Sequence, residues 1–343
     1  MISRALFVGL LLLTMAGASG TASAETGVRV ATWNVEEVGE PGSSQYEAAR
    51  DVLQRIGADV VAVNEVRDHA DAECLGSLAR ASGYPHYYVA PAGPLGEVRN
   101  AMLSVYPWRE VGVISSVELS GDSRANDLTR YFIEARIDLP GPARDLIVVG
   151  NHWKASWEDA NEFRRAVESM RCDQILAGYD AVRDAYVVVG DVNEEVEDLP
   201  LSPASFYSLP YGLPQTYWLG DDLYDWMRDE GIDNDPFQYL TQRAELVNAL
   251  QVDGADYTFP GSRRRLDYLL VSDALMAGGV ASEVYDSADE WRDGGLPKEG
   301  DPLGASVSAT ASDHLLVFAD LLVPDAGPIV LPPNRKLGFW RGH

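Results

Sequence analysis

Residues 186–193 read Tyr186-Val187-Val188-Val189-Gly190-Asp191-Val192-Asn193: a wholly apolar, strand-forming run, a glycine, and then a carboxylate and a carboxamide two residues apart. So short and apolar a run fits a strand buried on both faces, the kind found in sheets covered by helices. The polar residues begin where the strand stops. Outward from there the same pattern recurs. Arg29–Trp33 ends in Asn34, Asp59–Val63 in Asn64-Glu65, and Leu146–Gly150 in Asn151-His152-Trp153-Lys154, while Leu315–Leu322 is preceded by Ser312-Asp313-His314. One polar strand end is unremarkable. Repeated ends carrying carboxylate, carboxamide and imidazole make one polar pocket over an apolar base if the strands lie side by side or in facing sheets.

Between the strands the period changes. Ser44-x-x-Glu47 opens a helix that carries Ala48, Val52, Leu53 and Ile56 and stops at Gly57. A second helix is expected over Ala72–Ala81, and Asp159-x-x-Glu162 caps a third, with Phe163, Ala166, Val167 and Met170 on one side, running to about Ala177. Further strands are expected at 87–90, 102–105, 131–137 and 266–271. From Glu194 to Gly254 prolines interrupt the chain and only one helix, Phe237–Leu250, is expected; Asp286–Ser308 reads as an acidic loop. Nothing repeats at a fixed period. Because strands and helices alternate with no linker between them, one layered α/β domain over residues 25–323 is the economical reading, with 324–343 as an appended tail.

Met1-Ile2-Ser3-Arg4, the apolar run Ala5–Met15 and Ala22-Ser23-Ala24 form the three regions of an export signal, too short to span a bilayer. Removal of residues 1–24 predicts a secreted or periplasmic protein. No later stretch approaches eighteen apolar residues, so no stable membrane insertion is expected, and no feature calls for an obligate protein partner. Cys74 and Cys172 permit one bridge in an oxidising compartment, two buried thiols being the alternative. The balance of 27 Lys+Arg against 53 Asp+Glu gives a net charge of −26. Such a chain does not gather nucleic acid or anionic membrane by bulk attraction, so a polyanionic substrate must be met by local positive charge or bound cations.

The strand-end residues suit particular chemistry. Glu65 and Asp313, with Asn34 as a neutral oxygen donor, are a hard oxygen set for Mg²⁺, Mn²⁺ or Ca²⁺, and neither thiolates nor histidines have zinc-ligand spacing. Asp191 and Asn193 point the same way on an extended segment and can orient a water and hydrogen-bond an oxyanion. Histidines are scarce, five in all, yet His152 and His314 both fall in these clusters. A metal to absorb negative charge, a base and an amide point to phosphoryl transfer to water.

Ala31-Thr32-Trp33-Asn34-Val35, Val63-Asn64-Glu65-Val66, Asn151-His152-Trp153-Lys154, Gly190-Asp191-Val192-Asn193-Glu194, Arg265-Leu266-Asp267-Tyr268-Leu269-Leu270 and Ser312-Asp313-His314-Leu315 occur in the order that resembles the endonuclease/exonuclease/phosphatase superfamily. This superfamily includes pancreatic-type deoxyribonucleases, abasic-site endonucleases, neutral sphingomyelinases and inositol polyphosphate phosphatases. The resemblance implies a four-layered α/β sandwich of two mixed sheets packed face to face and flanked by helices. It also implies that Asn34 and Glu65 hold the principal divalent cation with Asp313 nearby. Asp191 would orient or deprotonate the attacking water, Asn193 would contact the scissile phosphate, and Asp267 would pair with His314. His152 would match the second histidine of the deoxyribonuclease and sphingomyelinase branches, where it protonates the leaving group. The Asn-His-aromatic-Lys run ending at Lys154 is similar to that of secreted bacterial nucleases, although Ala155 precedes Ser156. Nucleic acid as a transient substrate is the expectation that follows. Lys154, Arg99, Asn100 and Arg130 are expected to face phosphate, with the basic run Arg263–Arg265 as further local positive charge for phosphates. Asn64 stands where the superfamily usually has Gln, a shorter amide with less reach to a ligand, and Val192 replaces the usual aromatic. A phospholipid or inositol-phosphate esterase keeps the same chemistry with another substrate. A catalytically silent binding protein would be expected to have lost one of Asp191, Asn193, Asp267 or His314, and all are present.

Overall fold

Val60 and Ala62 face one way and Val61 and Val63 the other, each pair into its own apolar cluster, which explains why this run shows no polar alternation. The computed structural model describes residues 25–94, 96–121, 123, 125–196, 240, 245–247, 257–290 and 295–326. Its strands are β1 (Glu25–Asn34), β2 (Val60–Val66), β3 (His86–Val89), β4 (Arg99–Ser104), β5 (Trp108–Ile114) and β6 (Phe132–Ile137), followed by β7 (Leu146–His152), β8 (Tyr186–Asp191), β9 (Glu245–Val247), β10 (Asp267–Val271), β11 (Val280–Tyr285) and β12 (Leu316–Pro324). The helices are α1 (Ser44–Ile56), α2 (His69–Ala81), α3 (Ser116–Ser120), α4 (Asp159–Leu176), α5 (Asp273–Gly278) and α6 (Val307–Ala311). They build two six-stranded mixed sheets, in the orders β11-β12-β1-β2-β4-β3 and β5-β6-β7-β8-β10-β9.

Three apolar clusters separate four layers. Val28, Val30, Val60, Ala62 and Met102 of the first sheet meet Ile133, Val148, Val187, Val189 and Leu269 of the second between the sheets. Outside the first sheet, Ala31, Trp33, Val61, Val63 and Leu103 pack on Val52, Leu53 and Ile56 of α1 and Leu75 and Leu78 of α2. Outside the second, Ile147, Val149, Tyr186 and Val188 pack on Cys172, Ile175 and Leu176 of α4. This is the helix–sheet–sheet–helix sandwich that the resemblance implies. A Cβ at Gly150 would sit in ordinary contact across the inter-sheet space, 3.4 Å from Met102 Cε. Gly190, at φ +151°, could carry none, since a Cβ there would meet Asn151 O at 1.9 Å.

Several boundaries differ from expectation. The N-cap of α1 is Ser43, whose hydroxyl accepts from Tyr46 N–H, and that of α4 is Glu158; each lies one residue ahead of the expected capping box. β5 and β11 were not expected, because Arg109, Glu110, Ser282 and Glu283 interrupt their patterns; both are edge strands, where polar residues are tolerated. Of the helix expected over 237–250, Leu240 is helical, but Glu245–Val247 pairs antiparallel with β10, where the sheet edge overrides helical propensity; its other residues lie outside the described ones. So do the expected export signal, 1–24, and the tail from 327 onward. Residues 324–326, assigned to the tail, are stitched to the domain: Pro324 O accepts from Arg144 N–H and Ala326 N–H donates to Pro142 O. Cys74 and Cys172 are both free, on opposite flanks of the sandwich, so the permitted bridge does not form. Among the described residues no helix is long and apolar enough to cross a membrane.

Candidate active site

Strand parity decides which side chains meet. Val28 and Val30 of β1 face the space between the sheets, so Asn34 does too. The same count carries Ala62 to Asn64, Val148 to His152, Val189 to Asp191 and Leu269 back to Asp267. β1 and β2 run parallel and present their C-terminal ends, as do β7 and β8; β4, β10 and β12 run against these and present their N-terminal ends. The tips of both sheets therefore share one edge, where the inter-sheet apolar filling gives way to polar side chains.

Asp191 is the centre. Its Oδ2 accepts from Asn34 Nδ2 at 3.0 Å and lies 3.7 Å from His152 Nε2 and 3.9 Å from His314 Nε2. Its Oδ1 accepts the backbone N–H of Asn193 at 2.8 Å, and its own N–H donates to Asn64 Oδ1 at 2.9 Å. Burial, then the neighbouring Asp267, push its carboxyl up to about 7, against the opposing pull of His314 and the Asn34 hydrogen bond. Asp267 Oδ2 is 2.8 Å from His314 Nδ1 and accepts from the Thr258 hydroxyl at 2.7 Å. Burial alone would depress His314, but the charge and hydrogen bond of Asp267, with Asp191 and Asp313 behind it, raise it to about 10, so this imidazole carries both protons at neutral pH. Its place is fixed from both sides: its carbonyl accepts from Trp33 Nε1, its N–H donates to Ser312 Oγ, and Phe259 lies against the ring at 4.8 Å.

His152 is the opposite case. It is fully buried, neither ring nitrogen has a hydrogen-bond partner among the described residues, and Nε2 lies 3.8 Å from Glu65 Oε1. Burial holds it well below the ordinary range, with Arg130, His314 and Lys154 adding to the effect, so it is neutral. Glu65 sits at a break of the β2–β4 register with φ +65°; this kink leaves Val66 in the helix-side core while the carboxylate turns toward the strand tips. Glu36 titrates high chiefly because of Asp313, then burial, with Glu65 contributing, which shows that these carboxylates converge. Neither Glu65 nor Asp313 takes a hydrogen bond from a protein donor among the described residues, and Asn34 Oδ1 accepts only from Glu36 N–H. Hard oxygens with unsatisfied charge fit a divalent cation. Asp191, Asp267 and His314 also bring one ligand atom each within 4.8 Å of one another, although the His314 ring is already committed to Asp267.

The Endonuclease/Exonuclease/phosphatase family model matches residues 31–314. The chain belongs to that family. Its members are metal-dependent phosphoric ester hydrolases. Among similar solved structures, an endonuclease/exonuclease/phosphatase from Beutenbergia cavernae DSM 12333 is 22% identical with a TM-score of 0.55, over 88% of this chain and 72% of that one. An AP endonuclease from Archaeoglobus fulgidus is 16% identical with a TM-score of 0.52, over 85% and 98%. A beta toxin from Staphylococcus aureus is 16% identical with a TM-score of 0.51, over 85% and 99%. These likenesses are of fold. No curated protein matches the sequence.

Within this endonuclease/exonuclease/phosphatase fold, the sequence-derived residues divide into those that face the strand-tip pocket and those that brace it. Asn34, Glu65, His152, Asp191, Asp267 and His314 are joined by the contacts above, and Asn193 by its bond to Asp191. Asn193 Nδ2 also donates to Trp153 O at 3.1 Å. Arg130 and Lys154 flank His152 closely enough to oppose its protonation. Arg130 Nη1 donates to Trp153 O at 3.0 Å, and the Lys154 ammonium to Ala155 O. Arg99 stands opposite Val66, beside the kink. Asn100, expected at the phosphate, is buried, with its oxygen on Asn64 and its amide on Tyr131 O, so it braces the site from within. Asn64 is no ligand falling short: it donates to Asn100 Oδ1 and Asn151 O at 2.9 Å and accepts from Asp191 N–H, fastening the two sheets. Arg264, from the basic run at 263–265, is paired with Glu195. Sequence reasoning missed Thr258 and Ser312, small hydroxyls whose only signal is adjacency, and Glu168, an acid on the buried side of α4.

Proposed function

We propose that the chain is an exported, divalent-metal-dependent phosphodiesterase that hydrolyses DNA, RNA or both by activated water, with nucleic acid as a transient substrate. The observation that carries this reading is the Asp191 carboxylate, buried, near-neutral in pKa, held by Asn34 and faced by both imidazoles. Glu65, Asp313 and Asn34 would hold Mg²⁺, or Mn²⁺ or Ca²⁺. The bound cation supplies neutralisation of charge on the phosphoryl group. Asp191 takes the proton of the attacking water, a task suited to a carboxyl that titrates near 7. Asn193, whose backbone is fixed on Asp191, turns its remaining side-chain N–H to a phosphoryl oxygen. His314, held by Asp267, offers the second N–H of its imidazolium to the same group. His152, neutral, has an N–H to give as a hydrogen bond beside Asp191 and Glu65 rather than the proton of an imidazolium. Arg130 and Lys154 are the local positive charge that a chain of net −26 needs in order to meet a polyanion.

A substrate panel tests the reading: single- and double-stranded DNA, RNA, sphingomyelin and inositol phosphates, each with Mg²⁺, Mn²⁺ or Ca²⁺ and with EDTA. Cleavage of nucleic acid that EDTA abolishes is expected; full activity in chelator would remove the metal assignment. Hydrolysis of sphingomyelin or inositol phosphates alone would transfer the chemistry to a lipid or sugar phosphoester. Trp157, 84% exposed and three residues beyond Lys154, is the observation that favours this second reading.

A further inference from the structure

Helix α4 buries charge where a helix on a sheet ordinarily buries apolar surface: Arg164, Arg165, Glu168 and Arg171 are all inside. The Glu168 carboxylate is fully enclosed and binds two backbone groups from separate parts of the chain. Oε1 accepts from Thr129 N–H at 2.7 Å and Oε2 from Lys154 N–H at 2.6 Å. One of those residues precedes Arg130 and the other is Lys154. The two segments are joined again where Arg130 donates to Trp153 O, and Arg165 Nη1 holds the second one by Lys154 O at 3.0 Å and Ser156 O at 2.6 Å. Burying a carboxylate is a poor way to add stability. What a carboxylate provides is a pair of acceptors at fixed spacing: burial raises its pKa, and the buried Arg164 guanidinium with the Thr129 and Lys154 N–H groups works against that rise. Burial, then Arg130, opposes the charged form of Lys154, and Glu168 favours it.

We propose that Glu168 is a positioning residue that holds Arg130 and Lys154 together as a paired cationic clamp for the substrate phosphate on the His152 side of the site. The proposal rests on the phosphodiesterase reading and makes the clamp, rather than the basic run at 263–265, the main phosphate-binding element. Glu168→Gln keeps the shape but turns an NH₂ toward one of the two N–H groups. Its KM for a short oligonucleotide should rise about tenfold with kcat within about threefold, since binding and not chemistry is disturbed. Its dependence of log KM on log salt should be shallower, because fewer cations meet phosphate. Lys154→Ala should do the same, and the double variant should fall short of additive loss. Inorganic phosphate with Mg²⁺, titrated by calorimetry, should bind about tenfold more weakly to the Gln variant than to the wild type. A lower unfolding temperature with unchanged KM, salt slope and phosphate affinity would overturn the clamp and leave Glu168 a structural residue. If the Gln variant does not fold, Glu168→Asp, which keeps the charge but is one methylene short, should show a smaller KM rise in the same direction; an unchanged KM there overturns the proposal equally. A wild type that hydrolyses no phosphodiester defeats the proposed function, and phosphate binding still decides the clamp.

Discussion

At His314 two carboxylates, Asp267 at 2.8 Å and Asp191 at 3.9 Å, hold a proton that burial would otherwise expel. His314→Ala removes that charged donor and leaves both carboxylates uncompensated. We expect turnover to fall by at least about 10² while the far-ultraviolet circular dichroism is retained, as for loss of a group acting on developing charge; an unchanged kcat would take His314 out of the reaction. The same proton makes stability depend on pH. Because the folded-state pKa of about 10 lies above the ordinary 6.5, this contribution is fully present below about 6.5 and is lost as pH rises through about 10. Asp191, raised from 3.8 to about 7, weakens the fold over a lower window, as pH rises from about 4 to about 7. In EDTA the urea midpoint should therefore fall between pH 7 and 10 in the wild type; in His314→Gln the part belonging to the imidazole should be gone, while the loss belonging to Asp191, no longer held down by His314, should extend above pH 7. The acids and imidazoles of this site were legible because residue type at a strand end is a local signal. Their protonation was not, since it depends on which groups lie across the gap between sheets.

Strands bring these residues together, and their parity does most of the placing. Asn34, Asn64, His152, Asp191 and Asp267 share the inter-sheet register, which a sequence reveals once the apolar alternation is anchored on Val60–Val63 or Val187–Val189. The role of Asn64 was harder to read, because its partners come from β4, β7 and β8, distant in the chain. Asn64→Ala leaves a buried N–H on Asp191 and the acceptors on Asn100 and Asn151 unanswered. That should cost about 3 kcal/mol of stability by urea denaturation, at roughly 1 kcal/mol or more for each abandoned group; a loss below about 0.5 kcal/mol would mean the sheets are fastened elsewhere. The edge strands β5 and β11 and the short β9 escaped sequence reading for a related reason: at an edge, pairing with one neighbour suffices and the apolar pattern relaxes. The charged inner face of α4 escaped because its apolar residues, Phe163, Ala166 and Val167, already supplied an adequate helical stripe.

For the molecule as a whole, the layers were legible from the resemblance and from the apolar runs together, while the separation of the two thiols depended on which sheet each helix covers. Cys74 on α2 and Cys172 on α4 have both sheets between them. The fold therefore owes nothing to an internal crosslink, although export would carry the chain into surroundings where such links form. Urea midpoint and hydrolytic rate should match within error with and without dithiothreitol, and a loss of either on reduction would contradict the arrangement. Maturation then requires no thiol oxidase or isomerase, and material recovered from a reducing cytoplasm should be equivalent to material collected outside the cell.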